Sequence, residues 1–389
     1  MKIAIVISHP IQHFCPMYAS WAGIEGIELK VFFGSNLGAV KYIDPNFKKE
    51  IQWNNLYLDQ FNHEFLNGEN TLPSTPSLDA KNLNDKLDEY SPDLLIHYGY
   101  FHKLAIRARN WAIANNVKIA YISDAEHKQK RPLWKEILKI PYLYFFFRKI
   151  DYFFTVGDAN EKYYNFYGVP TSKMKRMCFA IDIKCYDIAF DQKELLRNNF
   201  RNQHTIASKD VVISVVGKLV DWKSQNHLIQ LLQQLELSYP SKKIHLLIAG
   251  SGPMEDKWKI MASSIKQNQV HFLGFVNPID LPAIYAASDV YVHPALIEPH
   301  SLSISEAIYM GCPVIVADTS GSWGDDDDVQ IDKNGYVYPH GNLEELQNQI
   351  IKLIEENTFE AFGQYSLEIS RKFQQQSHFE MIKNFKINK

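Results

Sequence analysis

The chain has 389 residues, 46% of them hydrophobic and 22% charged, which is the composition of a soluble globular protein of two or three domains. A formal net charge of -3 argues against nucleic acid as a partner. Four cysteines (Cys15, Cys178, Cys185, Cys312) match neither C-x-x-C nor a metal spacing, so free thiols in a reducing cytosol are expected.

The apolar opening Met1–Ser8 runs straight into His9-Pro10 and reads as a first strand, not a signal peptide. No stretch approaches the ~20 apolar residues of a membrane span. The amino-terminal half predicts strands at 2–8, 28–33, 93–97, 117–122 and 152–156. Helices are expected between them at about 12–22, 79–89, 103–114, 133–149 and 158–166; residues 40–76, rich in Asn and Pro, resist assignment. The carboxyl-terminal half alternates more cleanly. Val211–Val220 is a continuous apolar run, as in a strand buried on both faces. A helical pattern through Leu228, Ile229, Leu231, Leu232 and Leu235 follows, then strand 244–249, helix 254–267, strand 270–273 and helix 281–287. Strand 290–293, helix 302–310, strand 313–317 and helix 343–356 complete the series. Strands alternating with helices imply α/β architecture with doubly wound parallel sheets. Two Rossmann-like domains of similar size are expected, at 1–190 and 191–364, divided near a polar stretch at 185–205. Segment 365–389 is expected to be a helix crossing back to the first domain. Ligands of such sheets bind beyond the carboxyl ends of the strands, so the cleft between the domains is the expected site.

Four stretches carry candidate chemistry. In Glu298-Pro-His-Ser-Leu-Ser-Ile-Ser-Glu306 one acid precedes a helix and the other lies inside it. Ser301 or Ser303 suits an N-cap, and the uncapped N–H groups form a site for anions and hydroxyls. Two carboxylates beside such a site suit a ligand with both hydroxyls and phosphates, as a nucleotide sugar has. Gly217-Lys218-Leu-Val-Asp-Trp-Lys223 puts a glycine and two lysines at a strand's carboxyl end, where they can hold a departing diphosphate; two solvated lysines are the ordinary alternative. Gly250-Ser-Gly-Pro253 suits either a tight turn or a backbone approaching a ligand. The first loop, Ser8-His9-Pro-Ile-Gln-His13-Phe14, lacks the glycines of a dinucleotide fingerprint, which argues against nicotinamide chemistry. His9 and His13 have no nearby carboxylate to complete a metal set, so polar groups facing the cleft are expected, with packing the alternative. Asp325–Asp328, four acids in a loop flanked by glycine, reads as a solvated surface.

Together with Gly217-Lys218…Lys223, Gly250-Ser-Gly-Pro and Glu298-x7-Glu306, the segments Phe272-Leu-Gly-Phe-Val276, Ser288-Asp-Val-Tyr-Val-His-Pro294, Gly311-Cys-Pro-Val-Ile-Val-Ala317 and Asn334-Gly-Tyr-Val337 resemble retaining glycosyltransferases of the GT-B fold, family 4. The likeness covers nearly all of 211–345. The opening Ser-His-Pro-Ile-Gln-His is similar to a branch that makes bacterial surface polysaccharides, and Asn160-Glu-Lys-Tyr-Tyr164, Tyr167-Gly-Val-Pro170 and Ala180-Ile-Asp182 fit the segment leading to the hinge. The resemblance implies a hexosyltransferase-type enzyme with a UDP-, GDP- or ADP-linked donor and a carbohydrate or lipid-linked acceptor. It needs no cofactor, and no metal where lysines neutralise the diphosphate. Lys218 and Lys223 would bind the diphosphate, Glu298 the donor sugar, and Glu306 the ribose hydroxyls. Backbone N–H groups of His300, Ser301 and Leu302 would bind sugar hydroxyls or phosphate, with Gly274 and Phe275 near the base.

Three departures from the family pattern stand out. His300-Ser301 replaces Phe-Gly, and Lys218 replaces an arginine whose fork would grip phosphate at two points. The family's amino-terminal histidine has no secure counterpart; Tyr98 or Gly99 falls near its place, with His97 and His102 as neighbours that are acceptor-side candidates or simply packed. Region 128–149 combines lysines, arginines and aromatics and suits a helix on an anionic membrane, which implies a cytoplasmic protein at the inner face of the plasma membrane; the alternative is aromatics packed on the sheet. A sugar-nucleotide epimerase of the same architecture and a non-catalytic donor-binding subunit are the rival functions.

Overall fold

The computed structural model describes residues 1–40, 42–44, 49–51, 56–67, 76–128, 133–376 and 378–385. The amino-terminal domain strings together β1 (Lys2–Ile7), α1 (Phe14–Ala22), β2 (Glu28–Phe33), the hairpin β3 (Tyr42–Asp44) and β4 (Lys49–Ile51), and β5 (Asn62–Phe65). Next come α2 (Leu83–Tyr90), β6 (Leu94–Tyr98), α3 (Lys103–Ala114), β7 (Lys118–Ile122), α4 (Leu133–Phe147), β8 (Tyr152–Thr155), α5 (Asp158–Phe166) and β9 (Met174–Arg176). Helices α6 (Ile183–Asp191) and α7 (Lys193–Gln203) lead into the second domain. It contains β10 (Val211–Val216), α8 (Asn226–Ser238), β11 (Ile244–Ala249), α9 (Glu255–Ala262), β12 (Gln269–Gly274) and α10 (Leu281–Ala287). There follow β13 (Val290–His293), α11 (Leu302–Tyr309), β14 (Val314–Ala317), β15 (Gly335–Tyr338) and α12 (Leu343–Glu355), then α13 (Phe359–Gln376) and α14 (His378–Lys383).

Each domain is built on one parallel sheet, seven strands in the order β5-β2-β1-β6-β7-β8-β9 and six in the order β12-β11-β10-β13-β14-β15. The sequence says why. β1 and β10 sit mid-sheet and are apolar on both faces, as strands covered by helices on two sides must be. The expected strands β1, β2, β6, β7, β8, β10, β11, β12, β13 and β14 all form, within a residue or two of their ends. The ones not foreseen, such as β9 and β15, have three or four residues and complete a sheet edge, where neighbouring register rather than an apolar run recruits them.

The polar stretch at 185–205 folds mostly as the two helices α6 and α7. Its polarity is satisfied locally: Arg197 and Arg201 reach the carboxylate of Asp289 at 2.5 and 2.8 Å, and Arg201 caps the Ala287 carbonyl at 3.0 Å. Leu196 and Phe200 pack into the same core as Tyr285 and Ile308, so α7 belongs to the second domain. At the other end, Ile369 and Phe373 of α13 pack in that core, whereas Ile382 of α14 is fully buried in the first domain's core. Phe385 meets the rings of Tyr152 and Phe154 at 4.7 and 5.8 Å. The chain thus returns to the first domain after Phe373.

Candidate functional site

In both sheets the winding reverses between two adjacent central strands, β1 and β6 in one and β10 and β13 in the other. Loops leaving their carboxyl ends diverge and open a crevice. In the second domain those loops are 217–223 and 294–301, tied together where the Leu296 N–H donates to the Trp222 carbonyl at 2.8 Å. This placement brings Lys223 and Glu298 together. The Lys223 ammonium contacts Glu298 Oε2 directly, and His293 Nε2 shares that oxygen at 2.9 Å. Behind it Tyr291 Oη lies 3.2 Å from His293 Nδ1 and 2.7 Å from Ser303 Oγ, and Ser303 Oγ is 2.9 Å from Ser301 Oγ. A neutral imidazole donating from Nε2 to Glu298 and accepting at Nδ1 from Tyr291 satisfies this chain. Burial holds His293 below its usual pKa, against the pull of Glu298, which keeps that neutral form. For Glu298 itself burial disfavours charge, but the His293 hydrogen bond and the Lys223 ammonium outweigh it and hold the carboxyl down at about 2. Lys218 lies in the same loop as Lys223, half-buried, with its carbonyl accepting from Gln225 Nε2 at 3.0 Å.

Glu306 lies inside α11, 6% exposed, and accepts from Tyr285 Oη at 2.8 Å. Burial pushes its carboxyl up to about 7, resisted by the hydroxyls of Tyr285 and Tyr186. It lines a pocket of about 90 Å³ with His13 of the first domain, Asp182 of the hinge, and Ile279 and Leu302 of the second. Ser301 holds the N-cap position of α11, but its hydroxyl turns to Ser303 and its N–H donates to Ser322 Oγ at 2.8 Å. Ser303 is already the second residue of the helix. One of the three N–H groups expected to face a ligand is therefore engaged within the protein. Gly274 ends β12 at φ +67 with open space where a side chain would be, beside a 36% exposed Phe275. Gly250 is different: at φ +142 a Cβ there would overlap the Gly217 carbonyl, and one on Gly252 would overlap that of Leu219. Backbone packing between adjacent loops accounts for both glycines.

Asp325–Asp328 does not behave as one solvated run. Asp325 and Asp326 are exposed, whereas Asp327 and Asp328 are each 2% exposed. His300 Nε2 lies 3.2 Å from Asp327 Oδ1 and 3.9 Å from Asp328 Oδ2, and Ser305 Oγ donates to Asp328 Oδ2 at 2.6 Å. Burial opposes charge on His300, but Asp327 and Asp328 prevail and raise its pKa. The three ligand atoms lie within 4.8 Å of one another, a spacing a cation would accept. Both carboxylates are already supplied with protein donors, Asp327 by His300, the Asp328 N–H and the Asp158 N–H. The sequence hides this because buried and exposed acids look alike in a row.

On the amino-terminal side the switch-point loops carry His9, His13 and His102. Burial depresses His9 and His13 to about 4, and His102 further disfavours charge on His9. The ring of Phe179 lies 5.3 Å from His13 and 5.2 Å from His300, bridging the two domains. His97 does not reach the cleft: it is fully buried beside Tyr121 and Phe146, because the pleat turns it under α4. Tyr98 packs on Phe14 and accepts from Tyr18 Oη at 2.9 Å, a partly buried core position. Asp124, at the carboxyl end of β7, was not singled out by the sequence. Burial raises its carboxyl, with His300 opposing and Glu298 reinforcing across the cleft.

Residues 197–369 match the family model described as Glycosyl transferases group 1. A Methanocaldococcus jannaschii protein named as an uncharacterized glycosyltransferase is 30% identical over 184 residues, 47% of this chain and 45% of that one. The chain spans about half the length of the curated relatives it matches. Among solved structures, Anabaena HepE in complex with UDP superposes with a TM-score of 0.71 at 18% identity, covering 98% of this chain and 97% of that one. A UDP-GlcNAc 2-epimerase from Neisseria meningitidis reaches 0.57 at 13% identity over 97% and 99% of the two chains. The chain has the GT-B fold.

Proposed function

We propose that this protein moves a sugar from a nucleoside diphosphate to an acceptor hydroxyl, with retention at the anomeric carbon, in the synthesis of a cell-surface polysaccharide or glycolipid. The meeting of Lys223 and Glu298 at the switch point, with Glu306 buried one helix turn further on, carries this proposal. Lys223 and Lys218 hold the diphosphate without a metal, Glu298 orients the sugar, and Glu306 takes the ribose hydroxyls. The His300–Leu302 segment meets sugar or phosphate, and Gly274 and Phe275 flank the base. The bond from anomeric carbon to diphosphate breaks as the acceptor oxygen attacks the same face, and the acceptor proton passes to the departing diphosphate. Domain closure excludes water. A hexose donor is proposed; the UDP complex of HepE supports a uridine-linked one.

Melting curves with UDP-, GDP- and ADP-sugars test this reading, since a ligand at a hundred times its Kd stabilises the folded state by about 2.7 kcal/mol. One of the three is expected to raise Tm; silence from all three at millimolar concentration sinks the proposal. Because an epimerase shares the fold, the product decides between them: new sugar nucleotide formed without an acceptor points to epimerisation. Product from purified protein alone removes the non-catalytic alternative.

For the acceptor side we propose a peripheral membrane surface on α4, at the cytoplasmic face. Among the described residues no helix is long and apolar enough to cross a membrane. Leu143, Phe146 and Phe147 pack inward, while Trp134, Ile137, Leu138 and Phe145 on the opposite face are 61 to 66% exposed. The basic residues divide. Lys128 donates to the Ser320 carbonyl at 2.6 Å over the Trp323 ring, and Lys139 lies over Tyr163, so neither serves the outer face. Arg148 and Lys149 are exposed at its end, and Gln129–Pro132 lie outside the described residues. Phosphatidylglycerol vesicles are expected to sediment the wild type at low salt, and Phe145→Asp is expected to abolish that. Binding that survives the substitution removes α4 as the contact.

A further inference from the structure

Helix α5 belongs to the first domain and the loop 321–330 to the second, yet they exchange hydrogen bonds like neighbouring turns of one chain. The Asp158 N–H donates to Asp327 Oδ2 at 2.7 Å, and the Asp326 N–H donates to Asp158 Oδ2 at 3.0 Å. Asp327 therefore caps the amino terminus of α5 from the opposite domain, where unpaired N–H groups and the helix dipole favour a carboxylate. Arg176 reinforces the junction. Its guanidinium reaches Asp158 at 2.6 Å and Glu161 at 2.7 Å in its own domain, and the Asp326 carbonyl across the gap at 2.7 Å. The approach is close: a Cβ on Gly157 would overlap the Asp327 carboxylate, one on Gly324 would overlap that of Asp158, and either would make that carboxylate shift.

The remaining oxygen of Asp327 faces the candidate donor site, 3.2 Å from His300 Nε2. His300 directly precedes Ser301, whose N–H is fixed by Ser322 of the same loop. One carboxylate is thus divided between a helix end in one domain and the start of the donor-site segment in the other.

We propose that Asp327 is a cross-domain positioning residue: by sharing its carboxylate between α5 and His300, it sets segment 300–302 for ligand only when the two domains are docked. With the domains apart, the oxygen that α5 held is released to water, the carboxylate turns, and His300 loses its fixed partner. The proposal rests on the nucleotide-sugar reading only for the ligand that senses the coupling.

Arg176→Gln and Gly157→Ala perturb the junction from the first domain, where neither side chain touches His300 or Glu298. Both are expected to speed amide exchange in the first turn of α5. They are also expected to move the His300 titration, followed by imidazole NMR, to lower pH in the same direction as Asp327→Asn. The groups facing His300 are Asp327 and Asp328 of its own domain and Asp124 across the cleft; Gly157→Ala presses on the first alone, whereas Arg176→Gln also removes a charge that favours ionised Asp328. UDP affinity by calorimetry is expected to fall about tenfold, within the range of ordinary couplings between sites. A loosened α5 with unchanged His300 titration and UDP affinity within twofold overturns the proposal, leaving the junction as simple packing. If none of UDP, GDP and ADP binds any form of the protein, the nucleotide-sugar reading fails while the His300 titration still decides the coupling. Should Gly157→Ala not fold, Arg176→Gln, which adds no volume, carries the test.

Discussion

Glu298→Gln is expected to lower sugar transfer by about 10²- to 10³-fold, the range seen when one group aimed at transition-state charge is removed. The substitution keeps the shape of the side chain and its ability to accept from His293, so it removes charge with little loss of packing. Lys223 is held by Glu298. Without that carboxylate the ammonium is free to meet a diphosphate, so UDP is expected to bind the variant at least as tightly as the wild type. A turnover loss without an affinity loss marks an interaction made in the transition state. The rate is measured with whichever nucleotide sugar raises Tm, and the affinity by calorimetry. Wild-type turnover, or a parallel fall in UDP affinity, contradicts the role given to Glu298.

The second large effect concerns Glu306 and pH. Burial pushes its carboxyl up to about 7 in the folded protein, from 4.5 for the free side chain. Between those values the folded state keeps a proton that the unfolded state has lost, so stability falls as pH rises through that window. The full difference amounts to about 3 kcal/mol. Glu306→Gln cannot ionise and lacks this contribution, so its stability relative to the wild type is expected to grow over the same interval and to exceed that of the wild type above pH 7, read from urea denaturation at several pH values. Equal slopes for the two proteins discard the assignment. Ribose hydroxyls donate best to the ionised carboxylate, so UDP binding near pH 6.5 is expected to release a proton. Calorimetry in buffers of different ionisation enthalpy detects that release, which Glu306→Gln is expected to lose.

Two histidines mark how far the sequence alone reaches. His97 and His293 both lie near the carboxyl ends of apolar strands of a doubly wound sheet, one before Tyr98 and the other at the last position. His293 meets Glu298 and Tyr291, whereas His97 is packed among aromatic rings. Direction off the pleat and the identity of the covering helix separate the two, and both are tertiary facts. Glu298 and Glu306 were legible because a loop acid, a run of serines and a helix acid follow one another along the chain. Asp327 and Asp328 were not, since four consecutive acids carry no local sign of which will be buried. The polar stretch at 185–205 gave no sign of its partner: Asp289, some ninety residues on, satisfies its arginines.

Strand–helix alternation, the parallel sheets and the loops able to carry chemistry were readable along the chain, because they follow from local periodicity and turn residues. The tertiary structure decided which loops face each other. Asp327 and Asp158 are 169 residues apart, and Lys223 and Glu298 are 75 apart. Local propensity holds no information on such pairs; packing of the helix layers and docking of the domains bring them within hydrogen-bond reach.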